Sequence, residues 1–276
     1  MDAIIKQLNN DPEKIGESNR VQLIDDAFIL AESDILDYIV ALRTTEYMQK
    51  ETEYVPWYLM LKRLGYTDMM LRSRESMFKE FQGYMRAQNT LYYNGYDWTG
   101  VSEDEELITL MKREVAVTIA CRYNEEKCVL EAGQLFTQWM NKPDDENPIN
   151  VNLRSPAYNA ALRAGGEQEW EFAWQRYNVT SDVSERDRLR EAMGMTEDLT
   201  LLQKYYEIAM DPTMTSADDT ADVLRAIASG NHVGRDFMWD AIVSSYDAIV
   251  ERTEFAIYFV VIDTTASFNT EKELEQ

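Results

Sequence analysis

Residues 19–57, NRVQLIDDAFILAESDILDYIVALRTTEYMQKETEYVPW, place apolar side chains at helical spacing twice in succession. Ile24, Ala27, Phe28 and Ala31 stand at i, i+3, i+4 and i+7, one face of a helix with 3.6 residues per turn, and Ile35, Tyr38, Ile39 and Leu42 repeat the spacing. Asn19 is a cap for the first helix, and Ser33 and Asp34 cap the restart. A link of about two residues holds two such helices as a tight antiparallel hairpin. A hairpin with one apolar face must stack on neighbours to bury it, which predicts a solenoid of helix pairs.

The rest of the chain repeats this grammar. A short helix over residues 3–9 breaks at the Asn9-Asn10-Asp11-Pro12 run. Pro56 sits in the first turn of a helix, where its missing N–H costs nothing, and Trp57, Met60, Leu61 and Leu64 continue the apolar stripe. A helix is predicted over residues 73–92, then a loop rich in Gly and aromatics over 94–100. Ser102 to Glu105 reads as a capping box, with Ile108, Met111, Val115 and Ile119 behind it and Val129, Ala132, Phe136 and Trp139 on the following helix. After a polar loop at 142–148, pairs are expected at 154–164 with 167–178, 183–194 with 197–210, and 217–229 with 232–250, and a last helix from about 253. No strand pattern of convincing length appears, and the six Pro and eleven Gly suit long helices. The expected class is all-α: a right-handed α-superhelix of stacked antiparallel helix pairs, HEAT- or armadillo-like, with no internal boundary, so that residues 1–276 form a single domain.

Charge and chemistry narrow the function. A net charge of −23 excludes general nucleic-acid binding, which needs a basic surface. The longest dense apolar run, residues 255–262, falls far short of the ~20 residues of a membrane span, so no membrane insertion by this chain is expected. One His, His232, and two Cys offer no zinc ligand set; His232 reads as a capping or surface residue beside Asn231. No nucleophile elbow is present. The acidic pairs Asp25-Asp26, Glu105-Glu106, Asp144-Asp145 and Asp218-Asp219 read as caps and solvated faces rather than paired catalytic carboxylates. Gly165-Gly166 reads as a helix end plus turn. Trp170, Ala173, Trp174 and Tyr177 share a helix face and read as core. No catalytic and no metal residue is assigned.

Cys121 and Cys128 bracket a turn between two helices. Their spacing suits either a disulfide or a pair of free thiols. Asn178-Val179-Thr180 is the single N-glycosylation sequon, with Asn178 as acceptor. Together, the sequon and the spaced cysteines lean towards a secretory compartment.

An ordered set of segments carries a resemblance: IIKQLN, NRVQLIDDAF, LDYIVAL, KETEYVPW, CRYNEEKC, LFTQWM, NPINVNLRSPAYNAALRAGGEQEWEFAWQRY, SERDRLREAM, NHVGRDFMWD and FNTEKELEQ. In these the chain resembles the C-terminal helical domain of the zinc aminopeptidases related to aminopeptidase N and the endoplasmic-reticulum aminopeptidases. The resemblance implies an α-superhelix that closes over a catalytic domain of the same polypeptide and walls a peptide-sized cavity. It implies that zinc belongs to that catalytic domain, which lies outside this chain, and that the family's domain continues past Gln276, so that the chain is expected to be truncated at its C-terminal end. It pairs Cys121 with Cys128 as the family's short disulfide. The positions of a second bridge found in many members are occupied by Asn159 and Met195.

The expected function is therefore a cavity-forming, regulatory domain of an extracytoplasmic zinc metalloaminopeptidase that removes N-terminal residues from peptides, with no catalysis by this chain alone. The implied partners are the catalytic domain, peptide substrates and a second copy in a homodimer. The implied location is the cell surface or the secretory-pathway lumen, with a membrane-anchored parent. The rival reading is a free-standing helical scaffold that binds a peptide or protein in its concave face.

Overall fold

The computed structural model describes the chain except residues 99–104, 144–146 and Gln276, and except the side chains of Lys272 and Leu274. The described residues form fifteen α-helices and four short 3-10 helices, with no strand among them. The all-α class expected from the periodicity is what the chain adopts. It divides into two compact units, Met1–Cys128 and Val129–Gln276.

The first unit holds α1 (Asp2–Asn10), α2 (Glu17–Glu32), α3 (Tyr38–Arg43), α4 (Tyr54–Leu71), α5 (Glu75–Gly95) and α6 (Leu107–Arg122). α7 (Glu126–Asn141) contains the point of division. α2 packs on α4, α4 on α5 and α6, and α5 on α6. Ile24, Ala27, Phe28 and Ala31 of α2 are buried with Trp57, Met60 and Leu64 of α4, Met85 and Tyr92 of α5, and Val115 and Ile119 of α6. Trp57 stacks on Tyr92 with ring centroids 4.8 Å apart. Both predicted stripes on α2 and α4 thus face one core.

The second half of the opening hairpin differs from expectation. α2 begins at Glu17, not at an Asn19 cap, and its end turns through Asp34 at φ 56. Asp37 is the cap of the next helix, its carboxylate accepting from the Ile39 N–H at 2.8 Å. α3 has six residues, and Ile35 and Ile39 are 71% and 65% exposed. Only Tyr38 and Leu42 of that stripe lean on the core. The left-handed residue at 34 redirects the chain, so half of the second predicted stripe faces outward.

The second unit follows the predicted pairs closely: α8 (Arg154–Ala164) and α9 (Glu167–Val179), α10 (Val183–Met193) and α11 (Leu199–Met210), α12 (Ala217–Gly230) and α13 (His232–Thr253), then α14 (Ile257–Thr265) and α15 (Glu271–Leu274). α8, α10, α12 and α14 contact each other in succession, and α11 packs on α12 and α13. Each pair therefore buries its stripe against its neighbours, as a repeat of hairpins requires. Asn231 locks one such junction. It is 9% exposed, caps α13 through the Gly234 N–H at 3.0 Å, and donates to the Met195 and Thr196 carbonyls at 3.1 and 2.8 Å.

Candidate functional site

The KETEYVPW segment forms a buried charge node. Glu51 is 4% exposed. Its Oε2 accepts from Arg20 Nε at 2.7 Å and from the Tyr47 hydroxyl at 3.0 Å, and its Oε1 accepts from Arg20 Nη2 at 2.9 Å and from the Thr52 and Glu53 N–H groups at 3.0 Å each. Arg20 Nη1 also donates to the Ile15 carbonyl at 2.7 Å. The bond to Glu51 raises the Arg20 pKa, and burial followed by the Glu51 charge pushes the Tyr47 phenol far above its usual range. Trp57 Nε1 donates to the Glu51 carbonyl at 3.1 Å, tying the node to α4. Every lone-pair direction of this carboxylate is occupied by protein, so it is a structural centre closed to substrate. Asp25 is paired with Arg63 at 2.6 Å, while Asp26 is exposed.

A second node sits at the end of α4. Asp68, 1% exposed, accepts from Arg72 at 2.7 Å and from Arg122 at 2.6 Å. Burial alone would raise its carboxyl pKa, but the two guanidinium groups outweigh burial and hold it below the usual carboxylate range. Arg122 belongs to the CRYNEEKC turn, which a Cys121–Cys128 disulfide closes with Cα atoms 5.2 Å apart. Asn124 takes φ 58 at the apex, and the Glu125 carboxylate accepts from the Cys128 N–H at 2.7 Å. The pairing implied by resemblance is present.

In the second unit Glu185 is buried between Arg154 and Arg188, each at 3.2 Å, and accepts from the Tyr158 hydroxyl. Burial and then the bond to Glu185 push the Tyr158 phenol far up. Asn147 Nδ2 donates to the same hydroxyl at 2.6 Å. Glu185, Arg154 and Asn147 of this cluster line a pocket of about 180 Å³ whose other walls include Trp139, Arg176 and Leu189. A second pocket of about 220 Å³ lies along α10, α12 and α14. Its arginines pair along a ladder, Arg190 to Asp222 at 3.4 Å, Arg225 to Asp222 at 3.6 Å, and Arg225 to Asp263 at 2.7 Å, and Glu191 also stands in the wall.

The remaining sequence candidates are placed as follows. His232 is the first residue of α13, half-buried, beside the cap Asn231. Trp170, Ala173 and Tyr177 are buried, and Trp174 stacks on Trp170 and Tyr177. Gly165 ends α8 and Gly166 opens α9. Asp219 pairs with Arg186 at 3.4 Å at the start of α12. Glu105 pairs with Arg113 at 2.6 Å. Asp144-Asp145 and residues 102–104 of the predicted capping box lie outside the described residues. Asn178 is exposed in the last turn of α9, its Nδ2 donating to the Trp174 carbonyl at 2.9 Å. Asn159 lies on α8 and Met195 just beyond α10.

Among the described residues no three His, Cys, Asp or Glu side chains converge as a metal ion requires. No helix of the described residues is long and apolar enough to cross a membrane.

The ERAP1-like C-terminal domain family matches residues 1–276. Aminopeptidase Ey of Gallus gallus is 34% identical over 283 residues, covering 100% of this chain and 29% of the relative. Aminopeptidase N of Canis lupus familiaris is 34% identical over 98% of the chain and 28% of its own length. Glutamyl aminopeptidase of Homo sapiens is 27% identical over 100% of the chain and 28% of its own length. The chain thus spans less than a third of the curated relatives it matches. With an all-α fold of stacked hairpins, the Cys121–Cys128 bridge and a match over every residue, the chain belongs to the ERAP1-like C-terminal domain family, the helical domain of aminopeptidases.

Proposed function

We propose that the chain is the cavity-forming and regulatory C-terminal domain of a zinc metalloaminopeptidase that removes N-terminal residues from peptides. The observation that carries this reading is the full-length family match to relatives named as aminopeptidases, of which the chain accounts for under a third. Zinc and the reacting groups belong to the catalytic domain of the same polypeptide. This chain contributes walls rather than chemistry: its buried carboxylates Glu51, Asp68 and Glu185 are engaged by Arg20, by Arg72 and Arg122, and by Arg154 and Arg188.

The proposed setting is the cell surface or the secretory-pathway lumen, with a membrane-anchored parent that pairs as a homodimer. The Cys121–Cys128 bridge supports an oxidising compartment. The exposed Asn178 amide in its sequon supports N-glycosylation there. The test is the native gene product. An antiserum raised against this chain should recover a glycosylated polypeptide several times its 32.1 kDa mass, together with aminopeptidase activity that a zinc chelator abolishes. The pure chain should turn over no aminoacyl-nitroanilide with added zinc. Recovery of a 32.1 kDa product without activity would replace this reading with that of a free-standing scaffold, and zinc-dependent turnover by the pure chain would overturn it.

A further inference from the structure

Asn94 is the only Asn in the sequence that Gly follows, and Asn94 and Gly95 are the last two residues of α5. Both are exposed. No hydrogen bond joins the Asn94 side-chain amide to a described residue. The other Asn of α5 is in the opposite situation: Asn89 is 2% exposed, and its Nδ2 donates to the Ala116 carbonyl at 2.9 Å. A Cβ placed on Gly95 would meet nothing within 4 Å, so the backbone there turns without obstruction. The helix ends directly after it. Tyr96 takes φ −137 and ψ 42, and its N–H donates to the Tyr92 and Tyr93 carbonyls at 3.1 Å each.

Inside a helix the backbone holds the N–H of the next residue away from an Asn side chain. The last turn opens most readily, because its final carbonyls have no intrahelical partner. Rotating the peptide that joins Asn94 to Gly95 brings the Gly95 nitrogen onto the Asn94 Cγ. Gly95, which has no Cβ, takes up the opposite rotation, so Tyr96 stays in place. We propose that Asn94 is a site of spontaneous deamidation through a cyclic succinimide. The Gly95 nitrogen gives its proton to solvent base and bonds to Cγ. The Cγ–Nδ2 bond breaks, and Nδ2 takes a proton from solvent and leaves as ammonia. Water then opens the ring: attack at Cγ gives aspartate, and attack at the backbone carbonyl gives isoaspartate, with the chain running through the side-chain carbon. The sum is Asn plus water to aspartate or isoaspartate plus ammonia, and nothing is oxidised or reduced. The product carries a new carboxylate at the C-terminal end of α5, where the helix dipole disfavours it. It stands close in the chain to Asp97, whose carboxylate holds Lys127 of the disulfide-closed turn at 2.7 Å. Isoaspartate also lengthens the backbone by one methylene just ahead of that pair.

The experiment incubates the folded full chain at body temperature, in mildly alkaline and in mildly acidic buffer, and follows the tryptic peptide Ala87–Lys112 by mass spectrometry. That peptide holds Asn89 as its internal control. It should gain one dalton with time, faster in the alkaline buffer, because the attacking nitrogen must lose its proton. Fragment ions should place the gain at residue 94 and none at Asn89, and part of the product should accept a methyl group from an isoaspartate methyltransferase. Gly95→Ala, for whose Cβ there is room, should slow the gain roughly tenfold or more, and Asn94→Gln should abolish it. Circular dichroism before and after incubation checks that each chain is folded. An Asn94 that keeps its amide in the alkaline buffer, a gain at Asn89 as fast as at Asn94, or equal rates in wild type and Gly95→Ala would overturn the site.

Discussion

Arg20 and Glu51 face each other across 31 residues of chain as a two-point fork, Nε to Oε2 at 2.7 Å and Nη2 to Oε1 at 2.9 Å, with side chains 8% and 1% exposed. Removing one charge of such a pair leaves the other buried and uncompensated, which costs about 3–5 kcal/mol. Glu51→Gln keeps the shape and removes the charge, so it should lower the urea-unfolding free energy of the chain by that amount. Replacing both partners, as in Arg20→Met with Glu51→Leu, should recover some of the loss. A single-variant loss below about 1 kcal/mol would show that the pair is solvated in solution, as exposed pairs of that worth are.

The same pair marks where sequence reading stops. Helix existence is legible wherever apolar periodicity coincides with real burial: α8, expected over residues 154–164, spans Arg154–Ala164, and α9 follows after the Gly165-Gly166 turn. Periodicity counts apolar side chains without knowing what lies opposite. It therefore draws Ile35 and Ile39 into a core that the turn at Asp34 directs them away from. Nor does it single out Glu51, because its partner Arg20 lies 31 residues away on α2 and no local spacing announces it. The pocket beside Glu185 is invisible for the same reason, since its indole, guanidinium and carboxylate come from α7, α9 and α10. Asn231, by contrast, has a local signal in Asn-His-Val-Gly: a cap residue whose third follower bears the capped N–H.

Asp68 makes acid stability depend on α4 and α6 staying joined. Its folded carboxyl titrates below the unfolded value near 3.9 because Arg122 and Arg72 outweigh its burial. The stability it contributes is therefore complete above the unfolded pKa and is lost as pH falls through the lower folded one. Asp68→Asn should cost about 2–3 kcal/mol at neutral pH, since its partners' side chains are 22% and 35% exposed and regain some water. The gap between wild type and variant should hold down to about pH 5 and shrink below about pH 4. Urea unfolding at a series of pH values measures it, and a gap that widens on acidification would reverse the sign.

The disulfide staples the short turn between α6 and α7, so the entropy it removes from the unfolded chain is modest. A loop of this size corresponds to roughly 2–3 kcal/mol. Cys121→Ser with Cys128→Ser should lower stability by that amount and leave the helical circular dichroism at room temperature intact. In the wild-type chain, alkylation without reductant should add no mass, and alkylation after reduction should add two equivalents. Uptake of two equivalents without reductant would place the thiols in the free state.

One substitution, Gly to Ala, should act with opposite sign at two positions. At Gly194, which ends α10, a Cβ would stand 2.2 Å from the Ala226 carbonyl oxygen on α12, with 2.6 Å to its carbon. That oxygen is backbone inside a helix and cannot turn aside, so Gly194→Ala must force α10 and α12 away from each other, at a cost of about 2 kcal/mol or more. At Gly65, in the middle of α4, a Cβ meets nothing within 4 Å. Gly65→Ala should instead gain about 0.5–1 kcal/mol by reducing the freedom of the unfolded chain. Parallel urea unfolding of the two variants gives both signs. If Gly194→Ala were neutral, the close approach of α10 and α12 would not hold in solution, and with it would go the register that brings Arg190 to Asp222.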